Sequence, residues 1–260
     1  MEALRDSEER ENHLSFQFME RAYNFVKRHR AIGLGTLGYH SYLQKNMIPF
    51  ESEEAKCVNI EMHKQLFEQS QAASRKLAKM FGEPELLKGY GMRNTTTCAI
   101  APTTSSAAIL GQVSQSIEPW MSNNFIKSLA KMKVEIRNKY LEELLEVKGK
   151  NTPEVWTSIA RNDGSVQHLE FLSEQEKAVF KTFREIDPYV IVEQAADRQK
   201  WLDQTQSLNL MLDSRWKAKE INALVIHAWK SGVCTLYYQH SVNAAQQEAQ
   251  SKNACVACEA

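Results

Sequence analysis

Residues 95–106 read Thr-Thr-Thr-Cys-Ala-Ile-Ala-Pro-Thr-Thr-Ser-Ser, and no other stretch narrows the fold as much. The first six suit a short buried strand. Pro102 has a fixed φ and no N–H, so the chain turns there instead of continuing as a helix. Small or hydroxylated side chains follow at 103–107. A strand, a turn of small residues and a helix behind it is the arrangement by which α/β proteins aim backbone N–H groups at an anion. The same residues also suit an ordinary Ser/Thr helix cap. Spacing alone leaves both readings open.

Composition removes several classes. The chain has 260 residues, 43% of them hydrophobic, enough for one large core or two modest ones. Its 32 basic and 32 acidic side chains balance, so it carries no footprint for nucleic acid. No apolar run reaches membrane-spanning length, and the charged, polar start, MEALRDSEERENH, is no secretory signal. Five cysteines, an odd number, fit free or catalytic thiols in the cytoplasm better than a disulfide framework.

In chain order, Phe18, Met19, Ala22, Phe25 and Val26 predict one face of an amphipathic helix, with Asp6 or Ser7 available as its cap. Gly33, Gly35 and Gly38 have dinucleotide-fingerprint spacing, but no clear strand precedes them. Close packing of a short strand and a helix at 39–44 is the reading their context favours. Residues 52–81 form the most regular helical pattern, ended by Gly82. Cys57 and His63 lie in it without a partner at ligand spacing, which fits packed or solvated helix residues.

After residue 120 the pattern predicts charged helical segments, with Leu141, Leu144 and Leu145 on a buried face. Asn162-Asp163-Gly164 is a turn signal, and Asp187-Pro188 opens a helix to about residue 202. Residues 207–212 alternate like a strand, 216–231 read as a helix closed by Gly232, and 233–238 read as a buried strand. From 239 onward the apolar content is nearly all alanine, which predicts a mobile tail. The tail carries Cys255 and Cys258 in C-x-x-C spacing, which favours dithiol–disulfide exchange over half of a zinc site.

Four stretches, in order, resemble the large, catalytic subunit of class I ribonucleotide reductase. HRAIGLGTLGYHSYL is similar to the family's strand and helix after its active-site finger loop. MRNTTTCAIAPTTSSAAILGQVSQSIEP resembles its substrate-phosphate loop and the segment that follows. FREIDPYVIVEQAADRQKWLDQTQSLNLML resembles a helix and a core strand, and VCTLYYQHS carries a class I tyrosine pair. The terminal C-x-x-C resembles the tail that re-reduces the active site.

The resemblance implies an α/β fold, the second part of the family's ten-stranded α/β barrel over residues 1–238, with a flexible redox tail at 239–260. It implies that Pro102, Thr103, Thr104, Ser105 and Ser106 bind the diphosphate of a ribonucleoside diphosphate. Tyr237 and Tyr238 would relay an oxidising equivalent from a radical-generating small subunit, which holds the metallocofactor. Alternation along an ideal strand would put these two rings on opposite faces, so a relay requires a strand end or a bulge. Cys255 and Cys258 would take electrons from thioredoxin or glutaredoxin. No metal or other cofactor is expected on this chain.

The family's Asn-Leu-Cys-x-Glu-type finger loop, with its thiyl cysteine and glutamate, has no counterpart here. Cys98 and Cys234, within expected strands, read as core thiols. The chain therefore resembles the C-terminal portion of the subunit, either a natural part of a split enzyme or an incomplete piece. It is expected to associate with a polypeptide supplying the N-terminal portion. The small subunit's tail is expected to dock near Ile221, Val225 and Trp229. The alternative is a non-catalytic interaction subunit that retains the fold.

Overall fold

The structure, a computed structural model, describes residues 2–129 and 132–241. The described elements begin with helices α1 (Glu2–Arg5), α2 (Arg10–His29), α3 (Tyr39–Lys45) and α4 (Glu53–Phe81), a 3₁₀ turn (Glu85–Leu87) and α5 (Thr104–Ile109). Strands β1 (Asn124–Leu129) and β2 (Met132–Arg137) come next, then α6 (Lys139–Val147), α7 (Pro153–Arg161), α8 (Glu174–Val179) and α9 (Pro188–Gln199). β3 (Leu210–Leu212), α10 (Ala218–Lys230) and β4 (Gln239–Ser241) complete the order. The chain divides into two units. One takes in residues up to Leu34 with His63–Ala99 and Trp201–Gln204; the other takes in Gly35–Met62, Ile100–Lys200 and the chain from Thr205.

In the first unit, α2 forms where its period predicts, but neither Asp6 nor Ser7 caps it. The cap position falls on Glu9, which makes no side-chain cap bond, while the Ser7 hydroxyl accepts from the Glu9 N–H at 3.2 Å. The helix packs beside α1 and the 3₁₀ turn, so its apolar stripe stays largely uncovered and Phe18 is 89% exposed. Residues 32–34 lie parallel to 96–99 through Leu34 N–H to Thr97 O (2.8 Å) and Ala99 N–H to Leu34 O (2.9 Å). A Cβ on Gly33 would lie 3.0 Å from the Ala99 Cβ, so this glycine serves close packing of the chain.

The strand expected at 95–100 is reduced to single parallel bridges, Leu34 with Cys98 and Ile100 with Gln206. Its amides are diverted. The Asp203 carboxylate accepts from the backbone N–H of Thr97 (2.7 Å) and Cys98 (2.8 Å) and from the Thr97 hydroxyl (3.0 Å), replacing a backbone ladder. Cys98 is buried as expected, with Sγ 3.4 Å from Ser70 Oγ.

In the second unit, a core forms where Leu141 and Leu145 of α6 meet Trp156 and Ile159 of α7 and Phe180 after α8. Each buried side chain of this size contributes roughly 1.5–3 kcal/mol. Side-chain caps fix the helix starts: Asn138, Thr152, Asp187 ahead of Pro188, and Ser173 in a reciprocal capping box with Glu176. Residues 124–129 and 132–137, expected to be helical, are instead paired antiparallel, Asn124 with Arg137 through to Leu129 with Met132. The strict apolar–charged alternation from Met132 to Arg137 is the signal for it.

β3, α10 and β4 make a β-α-β unit, with Leu210, Met211 and Leu212 parallel to Gln239, His240 and Ser241. The expected strand at 207–212 shrinks to β3, whose three residues are all buried, as in sheets covered on both faces. The expected buried strand at 233–238 lies outside any strand, and β4 starts only at Gln239. Val233 is buried, but Cys234, Tyr237 and Tyr238 are exposed, so Cys234 is not the core thiol expected. No helix among the described residues is long and apolar enough to cross a membrane.

The turn at 162–164 ties the root of β1 to α7. Gly164 has φ +81°, and a Cβ there would lie 1.9 Å from Ser122 Oγ and 2.8 Å from Asn123 N. Gly164→Ala is expected to destabilise the chain by roughly 2–4 kcal/mol, from the left-handed φ and the clash together. Urea unfolding measures this, and an unchanged midpoint would refute the tight approach.

Candidate functional site

The loop after Pro102 does not cap its own helix. Thr103 holds the N-cap position of α5 without a side-chain cap bond; its hydroxyl accepts from the Ser116 N–H at 2.8 Å. The Thr104 hydroxyl donates to Gln115 Oε1 at 3.0 Å. Pro102, Thr104, Ser105 and Ser106 are exposed, and Thr103 is half-buried. The Ser/Thr-cap alternative is therefore not how these hydroxyls are used, and the first turn of α5 faces solvent with small side chains.

Residues 113–120 are braced from α3. The Ser41 hydroxyl accepts from the Ser114 N–H (2.9 Å) and the Trp120 indole N–H (3.0 Å), and Ser114 Oγ accepts from the Ser41 N–H (3.1 Å). His40 Nδ1 accepts from the Trp120 N–H at 2.9 Å. Burial holds the His40 imidazole neutral, pushing its pKa down to about 3. Tyr39, at the start of α3, donates its N–H to Ser116 O (3.1 Å), and Ser116 sits at φ +43°, a strained region for a residue other than glycine.

This bracing presents Glu118, 8% exposed, to Asn209, which is equally buried. The Asn209 Nδ2 donates to Glu118 Oε1 at 2.6 Å, and Asn209 Oδ1 accepts the Tyr238 backbone N–H at 3.0 Å. Burial raises the Glu118 carboxyl to about 7, with the Asn209 hydrogen bond opposing. Among the described residues, no cluster of His, Cys, Asp and Glu could hold a metal ion.

Tyr237 and Tyr238 lie side by side just before β4, with ring centroids 4.2 Å apart and planes inclined by 54°. Both rings are about half exposed, at 50% and 55%. A hydrogen bond with Tyr238 raises the Tyr237 phenol above its usual value. The rings meet, as a relay requires, at a strand end. On α10, Ile221 and Val225 are half-buried and Trp229 is 74% exposed. Cys255 and Cys258 lie outside the described residues. Sequence reasoning missed Glu118 and Asn209; the one available signal was a lone amide between Leu208 and Leu210 in an otherwise apolar run.

With this geometry in hand, the family model described as the ribonucleotide reductase barrel domain matches residues 12–86 and 84–239. The chain belongs to that family. It is 41% identical to the ribonucleoside-diphosphate reductase large subunit of Invertebrate iridescent virus 6, over 90% of this chain and 25% of that protein. It is 40% identical to the putative large subunit of Frog virus 3, over 92% of this chain and 44% of that protein. Among solved structures, it matches the Actinobacillus ureae class Id ribonucleotide reductase alpha subunit with a TM-score of 0.83 and 49% identity, over 92% of this chain and 44% of that one. The chain thus spans from a quarter to under half the length of these relatives. The α/β reading, as part of the reductase barrel, holds.

Glu118 gives this site a pH signature. Its carboxyl titrates near 7 when folded and near 4.5 when free, so between those values the folded state holds more protons. Stability from this group is present below about 4.5 and is lost as pH rises to about 7. His40 acts in the opposite sense, its folded pKa lying below its free value of 6.5, and cancels in a comparison of variants. Glu118→Gln keeps an acceptor for Asn209 and should stabilise the protein relative to wild type above neutral pH by up to about 3 kcal/mol, with the gain vanishing in acid. A difference between the two proteins that does not vary with pH would contradict this.

Proposed function

We propose that this chain contributes to a ribonucleoside-diphosphate reductase, which converts ribonucleoside diphosphates to 2′-deoxyribonucleoside diphosphates by a radical route. The observation that carries the reading is the paired contact of Tyr237 and Tyr238 at the foot of β4, in a chain of the reductase barrel family. A phenol loses an electron and a proton together, and a neighbour in ring contact takes the hole in turn. Half-exposed rings suit an oxidising equivalent arriving from a separate small subunit, which holds the radical metallocofactor.

Pro102, Thr103, Thr104, Ser105 and Ser106 are the proposed diphosphate site. Support comes from exposed small side chains at the uncapped start of α5, where backbone N–H groups can meet phosphate oxygens closely. The small subunit's tail is proposed to dock on α10 by Ile221, Val225 and Trp229, which follow one another at four-residue spacing. Cys255 and Cys258 are the proposed dithiol that passes electrons from thioredoxin or glutaredoxin to the active site. Chemistry at the ribose falls to family segments this chain does not span, including the Asn-Leu-Cys-x-Glu-type loop. A cytoplasmic setting accords with the charge balance and the free thiols.

Two substitution sets test the assignment in the assembled enzyme. Tyr237→Phe and Tyr238→Phe should each reduce turnover to background while urea unfolding stays within about 1 kcal/mol of wild type, as for exposed residues. Normal turnover in either variant would remove the relay. Cys255→Ser should stop repeated turnover with thioredoxin and spare activity with a small dithiol; retained thioredoxin-driven turnover would remove the tail assignment.

A further inference from the structure

The chain around the tyrosine pair departs from a regular parallel ladder by one residue. Leu210 donates its N–H to Tyr238 O at 2.9 Å, and a regular ladder would then return the Tyr238 N–H to Leu208 O. Instead Tyr237 donates to Leu208 O, at 2.8 Å. Two residues therefore stand opposite Asn209 where one belongs, which is a bulge, and the displaced N–H of Tyr238 needs another acceptor. Asn209 Oδ1 supplies it at 3.0 Å, and the Asn209 amide is oriented in turn by Glu118 Oε1 at 2.6 Å.

We propose that Asn209 and Glu118 are positioning residues that hold this bulge and thereby keep the Tyr237 and Tyr238 rings in contact. The functional meaning of the contact rests on the relay reading; the geometry does not. Successive side chains of a strand alternate faces, and an extra residue re-aims one of them. An unpaired N–H in a partly buried place is costly, so without Asn209 Oδ1 the Tyr238 N–H returns to Leu208 O and the rings separate. A free Asn amide could rotate, and Glu118 fixes it because a carboxylate only accepts, which requires the NH₂ to face it and the oxygen to face Tyr238. Both groups are buried while both rings are exposed, so the support is rigid and the working groups are accessible.

The test uses the full chain labelled with 3-fluorotyrosine, at alkaline pH where the acid is ionised. Single Tyr→Phe variants assign the two ¹⁹F resonances and show whether removing one ring shifts the other. In wild type the mutual shift should be present and the Tyr238 amide should exchange slowly. Asn209→Leu should abolish the mutual shift; the Tyr238 amide, back on Leu208 O, stays slow, while the displaced Tyr237 amide should exchange roughly tenfold faster, the loss of one hydrogen bond.

A reciprocal exchange separates positioning from general stability. Glu118→Gln alone keeps an acceptor for Asn209 and should retain the mutual shift. Asn209→Asp alone sets two carboxylates face to face and should lose the mutual shift. Asn209→Asp with Glu118→Gln restores a donor facing an acceptor and should recover it. A mutual shift that survives in folded Asn209→Leu, or a double variant no better than Asn209→Asp, overturns the proposal. These readouts need no turnover, so an active Tyr237→Phe enzyme would remove the relay reading and leave this result to stand on its own.

Discussion

Arg198 is 1% exposed, and its guanidinium donates to Gln206 Oε1 at 2.7 Å and to Asn59 Oδ1 at 3.3 Å. Burial lowers its pKa to about 10, and it remains charged at neutral pH. A buried charge bonded to these amide oxygens keeps its place because the amides are themselves committed. Gln206 donates to Ala195 O, Asn59 donates to Gln194 O, and Gln194 donates to Phe50 O while accepting from Tyr39. Removing one amide would leave part of the buried charge unmet, at a cost of about 1.5–3 kcal/mol.

Both candidate sites of the second unit hang from the residue this charge fixes. The Gln206 backbone bridges Ile100, two residues before Pro102, and its carbonyl accepts from the Thr235 hydroxyl at 2.6 Å, two residues before Tyr237. The following residues, 208–210, face the bulge at Tyr237 and Tyr238. A second connection runs through 115–118, where Ser116 meets Thr103 and Glu118 meets Asn209, which meets Tyr238. The proposed phosphate loop and the proposed relay are thus joined twice by hydrogen bonds within one unit.

The helices were legible because period and caps are local. Residues 52–81, the helix opened by Asp187-Pro188 and the turn at Gly164 form close to where their residues predict. The strands were less legible because side chains replace their ladders. Asp203 takes the amides of Thr97 and Cys98, Asn209 takes that of Tyr238, and the Thr235 hydroxyl reaches Gln206 O. None of these partners is near in sequence, so an apolar run such as 233–238 reads as a buried strand and folds as irregular, partly exposed chain. The pairing of 124–129 with 132–137 was missed for another reason: its charged residues read as a solvated helix face when the period that governs them is two. Of the site, the loop and the tyrosines announce themselves by residue type, whereas Glu118 acquires its role only through burial.

That division has a physical basis. Groups that would meet substrate or partner must be exposed, and exposed groups are held poorly by packing. Thr104, Ser105 and Ser106 on one side and Tyr237 and Tyr238 on the other face solvent, while Ser116, Glu118 and Asn209 behind them are nearly inaccessible. Buried polar groups tolerate few arrangements, because each misplaced donor or acceptor costs about 1–3 kcal/mol. The Tyr238 amide is the point where that intolerance reaches the surface. Its acceptor, Asn209 Oδ1, is buried and bonded in turn to Glu118, while the rings of Tyr237 and Tyr238 beside it are exposed.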